Sequence, residues 1–403
     1  MTRTSDVLAR LAETRVWQED LYRDLHAHPE LSGHETRTAA AVGERLAALG
    51  YAVQQIGGGI VGVLGSGSGP TVLARADMDA LPITELTGLP YASTETTVDD
   101  AGTTVGVSHT CGHDVHVTCL LGAAELLARG TGSWSGTFVA LFQPAEETAA
   151  GARGMVDAGL TDLIPRPEVA FAQHVLGLDA GSVGTRVGAV MSAGDSIRVT
   201  VFGKGSHGSM PHLGVDPVVL AASIVLRLQT IVARETQPGE FAVVTVGSVV
   251  AGTKSNIIPD RAVLLLNVRT YDAAVRRHVL DAVERIVRAE CEGAGSPLPP
   301  TFEYHDQFPL TTNDAAVSDR VTRAFKEHFV DGVVDLDRVT ASEDFSRIPD
   351  AFGIPYFYWG IGGFEPGTNV PPNHSPFFAP VVQPTLDAGT SALVVAALAY
   401  LVP

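Results

Sequence analysis

Cysteine is scarce in this chain, with three residues in 403. Three cannot build a disulfide framework, which excludes the stapled secreted scaffolds and points to a reducing compartment. Basic residues are outnumbered, 27 Lys and Arg against 45 Asp and Glu, for a formal charge of −18. That balance argues against nucleic acid or an anionic membrane as the main partner. Long apolar runs are missing as well: the stretch 397–402 (ALAYLV) falls far short of a bilayer span. The N-terminal segment 1–24 is charged throughout and has no apolar stretch of its own, so no secretory signal is read there. The expected location is the cytoplasm. The glycine run Gly57-Gly58-Gly59 lacks the context of a dinucleotide fingerprint, which removes the simplest nucleotide site. No fixed-period repeat and no low-complexity tract is present. What is present, at 45% hydrophobic and 18% charged residues, is ample material for a buried core.

Hydrophobic periodicity organises that material. Trp17, Leu21, Leu25 and His28 recur at helical spacing before Pro29, and a second helix is expected from Glu35 to Leu49 with Gly50 as its stop. Short apolar strands then alternate with helices: 60–64, 71–76, helix 115–129, 137–142, helix 151–158 and 169–174. Such alternation predicts βαβ units and a largely parallel buried sheet. The middle of the chain changes rhythm: strand 195–202, helix 216–234, strands 241–249 and 262–270, helix 272–292, strand 301–305. This β-α-β-β-α-β order is that of a ferredoxin-like domain. After Phe308 the alternation resumes with helix 314–329, strands 333–337 and 355–359, and helix 384–402. The expected fold class is α/β: a catalytic domain of residues 1–190 and 308–403, interrupted by an inserted α+β domain at 191–307.

Residues able to bind metal cluster at expected strand ends and turns. In Ser108-His109-Thr110-Cys111-Gly112-His113-Asp114, a thiol and an imidazole separated by one glycine can face one point, and both ligate borderline-soft divalent ions. Taken alone, the Cys-x-His pair fits a buried core equally well. Gln143-Pro144-Ala145-Glu146-Glu147 follows the strand 137–142, at the edge where α/β folds gather their sites. Adjacent carboxylates point in different directions, so one can bind metal while its neighbour serves as a base. His174 ends an expected strand, His374 sits in a proline-rich turn, and Asp77 and Asp79 follow the strand 71–76. Together these segments point to a polynuclear metal site.

The set LHAHPELSGHE (25–35), RADMDALPI (75–83), SHTCGHDVHVT (108–118), LFQPAEETAAGARGMV (141–156), QHV (173–175), GKGSHGSMPH (203–212), NIIPD (256–260), SEDFS (342–346) and NHSP (373–376) resembles the M20 metallopeptidase family. Within it the likeness is to the amidohydrolase branch, whose members include hippurate hydrolases, N-acyl-amino-acid amidohydrolases and indole-3-acetyl-amino-acid hydrolases. The resemblance spans nearly the whole chain in order and implies a catalytic α/β domain with an inserted ferredoxin-like lid. It implies five ligands for two divalent ions, Cys111, His113, Glu147, His174 and His374, with Cys111 as the bridge. Zn2+ or Mn2+ are the expected ions, with Ni2+ or Co2+ as alternatives. Many relatives outside this branch carry Asp at the bridge and a metal-binding His at the place of Asp77, so Asp77 departs from their pattern. The resemblance makes Glu146 the general base, Asp79 the residue that orients a ligand imidazole, and His207 the oxyanion donor. Ser206-His207-Gly208-Ser209 stands where the branch often carries Gly-His-Gly-Ala. His212, Asn256 and Arg269 are expected to grip a substrate carboxylate. His26, His28 and His34 match no metal position, and His116 and Glu343 lie near the implied site.

The expected reaction is hydrolysis of an N-acyl amino acid to a carboxylic acid and an amino acid, by a homodimer or larger homo-oligomer formed through the lid. A dipeptidase or carboxypeptidase of the same family is the alternative; Thr110-Cys111-Gly112-His113-Asp114 and Asp77-Met78-Asp79-Ala80-Leu81-Pro82 favour the amidohydrolase. A cysteine hydrolase using Cys111 and His113 leaves Glu147, His174 and His374 without a role. A non-catalytic metal binder has no need of Glu146.

Overall fold

The computed structural model describes residues 3–98 and 102–401. They divide into two compact units, one of residues 1–190, 312–337 and 344–403 and the other of 191–311 and 338–343. Each is built around its own apolar core.

In the first unit the helices expected near the N-terminus are Leu11–Ala27 and Thr36–Ala48, and His28 caps the first with its backbone N–H on Leu25 O. An eight-stranded sheet forms the centre. Its order runs Ala52–Ile56, Gly59–Ser66, Gly136–Gln143, Thr71–Asp77, Val169–Asp179, Tyr356–Phe364, Val183–Thr185, Val333–Asp335. The four middle strands from Gly136–Gln143 to Tyr356–Phe364 are mutually parallel. They read as near-continuous apolar runs because both faces are covered, whereas the outer pairs Ala52–Ile56 with Gly59–Ser66 and Val183–Thr185 with Tyr356–Phe364 are antiparallel. The helix Thr385–Leu401 is apolar on every side and buried along nearly its whole length, as an internal helix must be. The last residue expected in it, at 402, lies outside the described residues. This helix packs on His113–Arg129, which in turn rests against the strand Thr71–Asp77.

The second unit is a four-stranded antiparallel sheet ordered Ala242–Ala251, Arg261–Thr270, Ala193–Phe202, Thr301–Phe308. With helices Pro217–Thr230 and Ala273–Gly293 between strands, this is the spatial order of a ferredoxin-like domain, reached from the chain order β-α-β-β-α-β. The segment 338–343 also belongs here: Ser192 N–H donates to Ala341 O at 2.9 Å, and Met191 pairs with Val339. By length and composition one helical stretch, Pro217–Glu235, is apolar enough to cross a membrane, with a mean hydropathy of 1.5. Its Leu220, Ala221, Ile224, Leu228 and Ile231 fill the core of this unit at helical spacing.

Candidate metal centre

Three neighbouring parallel strands deliver the acidic and imidazole groups. Thr71–Asp77 leads into Asp79, Gly136–Gln143 into Glu146 and Glu147, and Val169–Asp179 carries His174. These strands are adjacent in the order second, first, third, so their carboxyl-terminal halves bring the groups together. Cys111 and His113 enter from the start of the helix His113–Arg129. Gly112 makes that entry with φ of +87°, and a Cβ there would stand 2.3 Å from Val175 Cγ1, so only glycine allows it. His374 arrives from the loop after Tyr356–Phe364, also left-handed at φ +67°, its N–H donating to Thr110 O at 2.8 Å.

Among the described residues several groups of possible ligands result, and two of them share Cys111. Cys111, His113 and His174 hold their donor atoms within 4.8 Å of one another, and so do Cys111, Glu147 and His374. Cys111 Sγ stands 3.4 Å from His174 Nε2, and Glu147 Oε1 lies 3.4 Å from His374 Nε2 and 3.8 Å from His113 Nε2. Donors bound tetrahedrally at roughly 2.0–2.3 Å from one ion stand about 3.3–3.8 Å apart, so these spacings suit ligation. His113 Nε2 and Glu147 Oε1 are buried and make no hydrogen bond. Such lone pairs are costly unless a cation takes them.

The imidazoles are prepared for that task from behind. His113 Nδ1 donates to Asp79 O at 2.9 Å and Oδ1 at 3.1 Å, and His174 Nδ1 donates to Val175 O at 2.8 Å. In each ring the Nε2 lone pair is thereby turned toward the cluster. Asp79 does more: its Oδ2 accepts from Glu147 N–H at 3.0 Å and from Ser32 Oγ at 2.7 Å. Asp77 also stands close, with Oδ2 3.8 Å from His113 Nε2, but its short contacts are to other partners. It is fully buried between the Arg75 guanidinium and His116 Nδ1, while His116 Nε2 accepts Val175 N–H at 2.9 Å.

The electrostatics follow from burial and from these pairs. Burial raises the Cys111 thiol and the Glu147 carboxylate raises it further, so a divalent cation is the counter-charge that would make it a thiolate. The Cys111 sulfur and then the Glu147 carboxylate push His374 up to about 10 against its burial. Burial pulls His113 down, but Asp77, Cys111 and Asp79 outweigh it and the ring is raised; His174, buried beside His116, is lowered. Burial pushes Asp79 up, and its partnership with His113 more than reverses this.

The remaining candidates are distributed more widely. Glu146 is buried on the same loop as Glu147, with Oε2 4.0 Å from His113 Nε2. His207, on the short strand Ser206–His207 of the second unit, is exposed; its Nδ1 accepts Ser209 N–H at 3.2 Å and lies 2.8 Å from Ser209 Oγ. Asn256 is brought beside it, since Gly208 N–H donates to Asn256 O at 2.8 Å, and His212 lies in the following turn. Arg269 stands apart on the strand Arg261–Thr270, donating from Nε to Asn267 Oδ1 at 2.8 Å and from a terminal nitrogen to Ser342 Oγ. Glu343 is buried and belongs to the second unit. His26 is a buried ion-pair partner of Asp114 at 2.7 Å and Glu85 at 3.1 Å, while His28 and His34 sit toward solvent. Arg75, Gln143 and Asp344 form a buried network that sequence reading left out, with Gln143 Nε2 donating to Asp344 Oδ1 at 2.6 Å. An arginine inside an apolar strand was the available signal, since a buried guanidinium requires carboxylates.

Comparison with known proteins gives a consistent result. The profile of peptidase family M20/M25/M40 matches residues 73–399. Thermostable carboxypeptidase 1 of Saccharolobus solfataricus is 35% identical over 91% of this chain and 91% of its own. N-acetyl-L-cysteine deacetylase of Bacillus subtilis is 36% identical over 85% of this chain and 79% of its own. Among solved structures, the YXEP protein of Bacillus subtilis, described as a dinuclear metal binding peptidase, superposes with a TM-score of 0.78 at 28% identity, covering 96% of this chain and 98% of that one.

Proposed function

The chain belongs to peptidase family M20/M25/M40, and from that membership we infer that it is a metal-dependent amidohydrolase that cleaves N-acyl amino acids into a carboxylic acid and an amino acid. The observation that carries the metal part is the sharing of Cys111 between two ligand triads. Cys111, His113 and His174 would hold one divalent ion, and Cys111, Glu147 and His374 the other. Thiolate, imidazole and carboxylate together suit zinc, with manganese, cobalt or nickel admitted by the same donor set. When bound, such ions supply Lewis acidity, lowering the pKa of water toward roughly 7 and polarising a carbonyl.

The chain's own groups do the rest. Glu146, whose carboxylate stands beside that of Glu147 and near His113, takes the proton of the attacking water and hands it to the leaving amine. His207 is the oxyanion donor: because Ser209 N–H donates to its Nδ1, the ring proton resides on Nε2, which is then free to donate. His212 and Asn256 grip the substrate carboxylate, with Arg269 contributing less because it already serves Asn267 and Ser342. A homodimer formed through the second unit is supported by its exposed Val218, Val219 and Leu226 on one helix and Val249 and Val250 on the outermost strand. Three free, buried cysteines support a cytoplasmic location.

A panel of acetyl-, benzoyl- and indoleacetyl-amino acids, run beside dipeptides and N-blocked peptides, tests the reading. Hydrolysis of the N-acyl amino acids, lost with chelator and restored by a divalent ion, is expected. Faster cleavage of the blocked peptides would move the assignment to a carboxypeptidase, the activity named for the Saccharolobus relative. Activity that survives exhaustive chelation would end the metal reading.

A further inference from the structure

The segment 29–35 (PELSGHE) joins the first two long helices and has no part in binding metal or substrate as described above. It is nonetheless fastened at several points. Glu30 caps the second helix, its carboxylate accepting Arg37 N–H at 2.9 Å and Thr38 N–H at 2.8 Å. Its carbonyl accepts Ala80 N–H at 2.8 Å, and Leu31 pairs with Ala80. Thus anchored, the segment places Glu35, a residue only 5% exposed, with its carboxylate against the loop that carries Glu146 and Glu147. Glu35 Oε1 accepts Ala145 N–H at 2.7 Å and Gly33 N–H at 3.0 Å.

Ala145 is where that loop turns. It has φ of +48°, a left-handed conformation that costs a residue with a Cβ about 1–2 kcal/mol. Something must hold it there. Beyond it the chain folds back, with Gly151 N–H donating to Ala145 O at 3.0 Å. Behind it lies a partly open cavity of about 550 Å3, lined in part by Gly33, Glu35, Gly57, Gly58, Pro144 and Ala145. Ala145 O is thus held from within the loop, by Ala150 and Gly151 N–H, whereas the bond from Ala145 N–H to Glu35 ties the turn residue to a segment outside it, and Glu147 N–H is held separately by Asp79.

We propose that Glu35 is a positioning residue for the general base: its carboxylate holds Ala145 left-handed, and that turn sets the direction of the Glu146 side chain relative to Glu147. This inference rests on the amidohydrolase reading for its kinetic consequence and on the geometry alone for its structural one.

The test compares Glu35→Ala, Glu35→Gln and Glu35→Asp in the full-length, metal-loaded protein. Misplacing a base by about an ångström costs on the order of 10- to 100-fold in rate, so Glu35→Ala should lose kcat by that factor with KM within about threefold. Bound metal, measured by elemental analysis, should stay near the wild-type amount, because no ligand is touched and Asp79 still holds Glu147. Glu35→Gln keeps an amide oxygen for Ala145 N–H and should recover most of kcat. Glu35→Asp keeps the charge but is one methylene short, and should not. Hydrogen–deuterium exchange needs no substrate: the peptide covering 143–152 should exchange faster in Glu35→Ala and Glu35→Asp than in wild type, and in Glu35→Gln close to wild type. Should Glu35→Ala fail to fold, the order of Gln above Asp in kcat and in protection decides the matter. Equal protection in all variants overturns the positioning role whatever the substrate proves to be. Loss of kcat in strict proportion to loss of metal overturns it too, since Glu35 would then act on the ligands. A wild-type enzyme inactive on every N-acyl amino acid defeats the amidohydrolase reading, and the exchange data then still judge Glu35.

Discussion

Replacing Asp79 with alanine probes how the site is braced. The carboxylate accepts from Ser32 Oγ at 2.7 Å, Glu147 N–H at 3.0 Å and His113 Nδ1 at 3.1 Å, so its loss touches two of the proposed ligands at once. Removing a group that supports a ligand typically costs about 10- to 100-fold in metal affinity. Two features set the figure within that range. His113 Nδ1 also donates to the Asp79 backbone carbonyl at 2.9 Å, which alanine retains, so the ring keeps its tautomer. Glu147 N–H, in contrast, is left without its acceptor on a half-buried ligand, a penalty of about 1–3 kcal/mol if no water replaces it. An affinity loss of about tenfold or somewhat more, or roughly 1.4–2 kcal/mol, is the expected sum for the more weakly held ion. Competition between the apo protein and a chromophoric chelator measures it directly, with Asp79→Asn alongside to separate charge from shape. If Asp79→Ala binds both ions within a factor of two of wild type, the carboxylate is not what orients His113 and Glu147.

Other outcomes follow from the same geometry. Glu146→Gln should lose turnover by several orders of magnitude with metal content unchanged, whereas Glu147→Ala should lose at least one ion; a metal-free Glu146→Gln protein would mean that the two roles are exchanged. Cys111→Ser should weaken metal binding more than His174→Ala, because Cys111 serves both triads, and metal should slow alkylation of Cys111 while buried Cys119 and Cys291 stay slow throughout; alkylation rates mapped by mass spectrometry that ignore metal would remove Cys111 from the bridge. His26 lies between Asp114 and Glu85, and although burial lowers its pKa the two carboxylates raise it to about 10. Its folded pKa exceeds the unfolded value of about 6.5, so this stabilisation is complete below that value and is lost as pH rises through 10; thermal melts of wild type should fall over that window and those of His26→Ala should not. That variant should also lose about 3–5 kcal/mol near neutral pH, since two buried carboxylates lose their cation.

Much of this architecture was legible in the sequence because the signals were local. Alternating apolar strands and helices gave the parallel centre, and β-α-β-β-α-β gave the second unit. The Cys-Gly-His turn and the Glu-Glu pair after a strand are contiguous motifs, so they announced themselves. What stayed hidden depends on pairs remote in sequence. Glu35 meets Ala145 across 110 residues, and Arg75 meets Asp344 across 269. Neither partner has a periodicity that names the other. The segment 338–343 belongs to the second unit through backbone bonds to Met191 and Ser192, and backbone pairing of an irregular stretch leaves no hydrophobic pattern to read.

Asp77 shows how the structure resolves what a motif leaves open. Residues two apart on an extended chain face the same side, so Asp77 and Asp79 point together while Met78 enters the core. The two carboxylates nonetheless hydrogen-bond different imidazoles, although Asp77 Oδ2 also stands 3.8 Å from His113 Nε2. Asp79 reaches His113 directly and braces Glu147 with its second oxygen. Asp77 accepts the Nδ1 proton of His116, whose other nitrogen must then be an acceptor, and the donor it finds is Val175 N–H. Val175 follows His174, and its carbonyl is the group that receives the His174 Nδ1 proton. Asp77 thus acts on His174 through a side chain and a peptide unit. Arg75 balances its charge, which keeps the carboxylate ionised in a site from which water is excluded; burial alone would have raised its pKa, and Arg75 with the two histidines holds it well below the usual range. A carboxylate already committed to a guanidinium and an imidazole has little left for a cation. On the proposed ligand set, the departure at Asp77 therefore turns that position toward Arg75 and His116, and Asp79 takes the imidazole of His113.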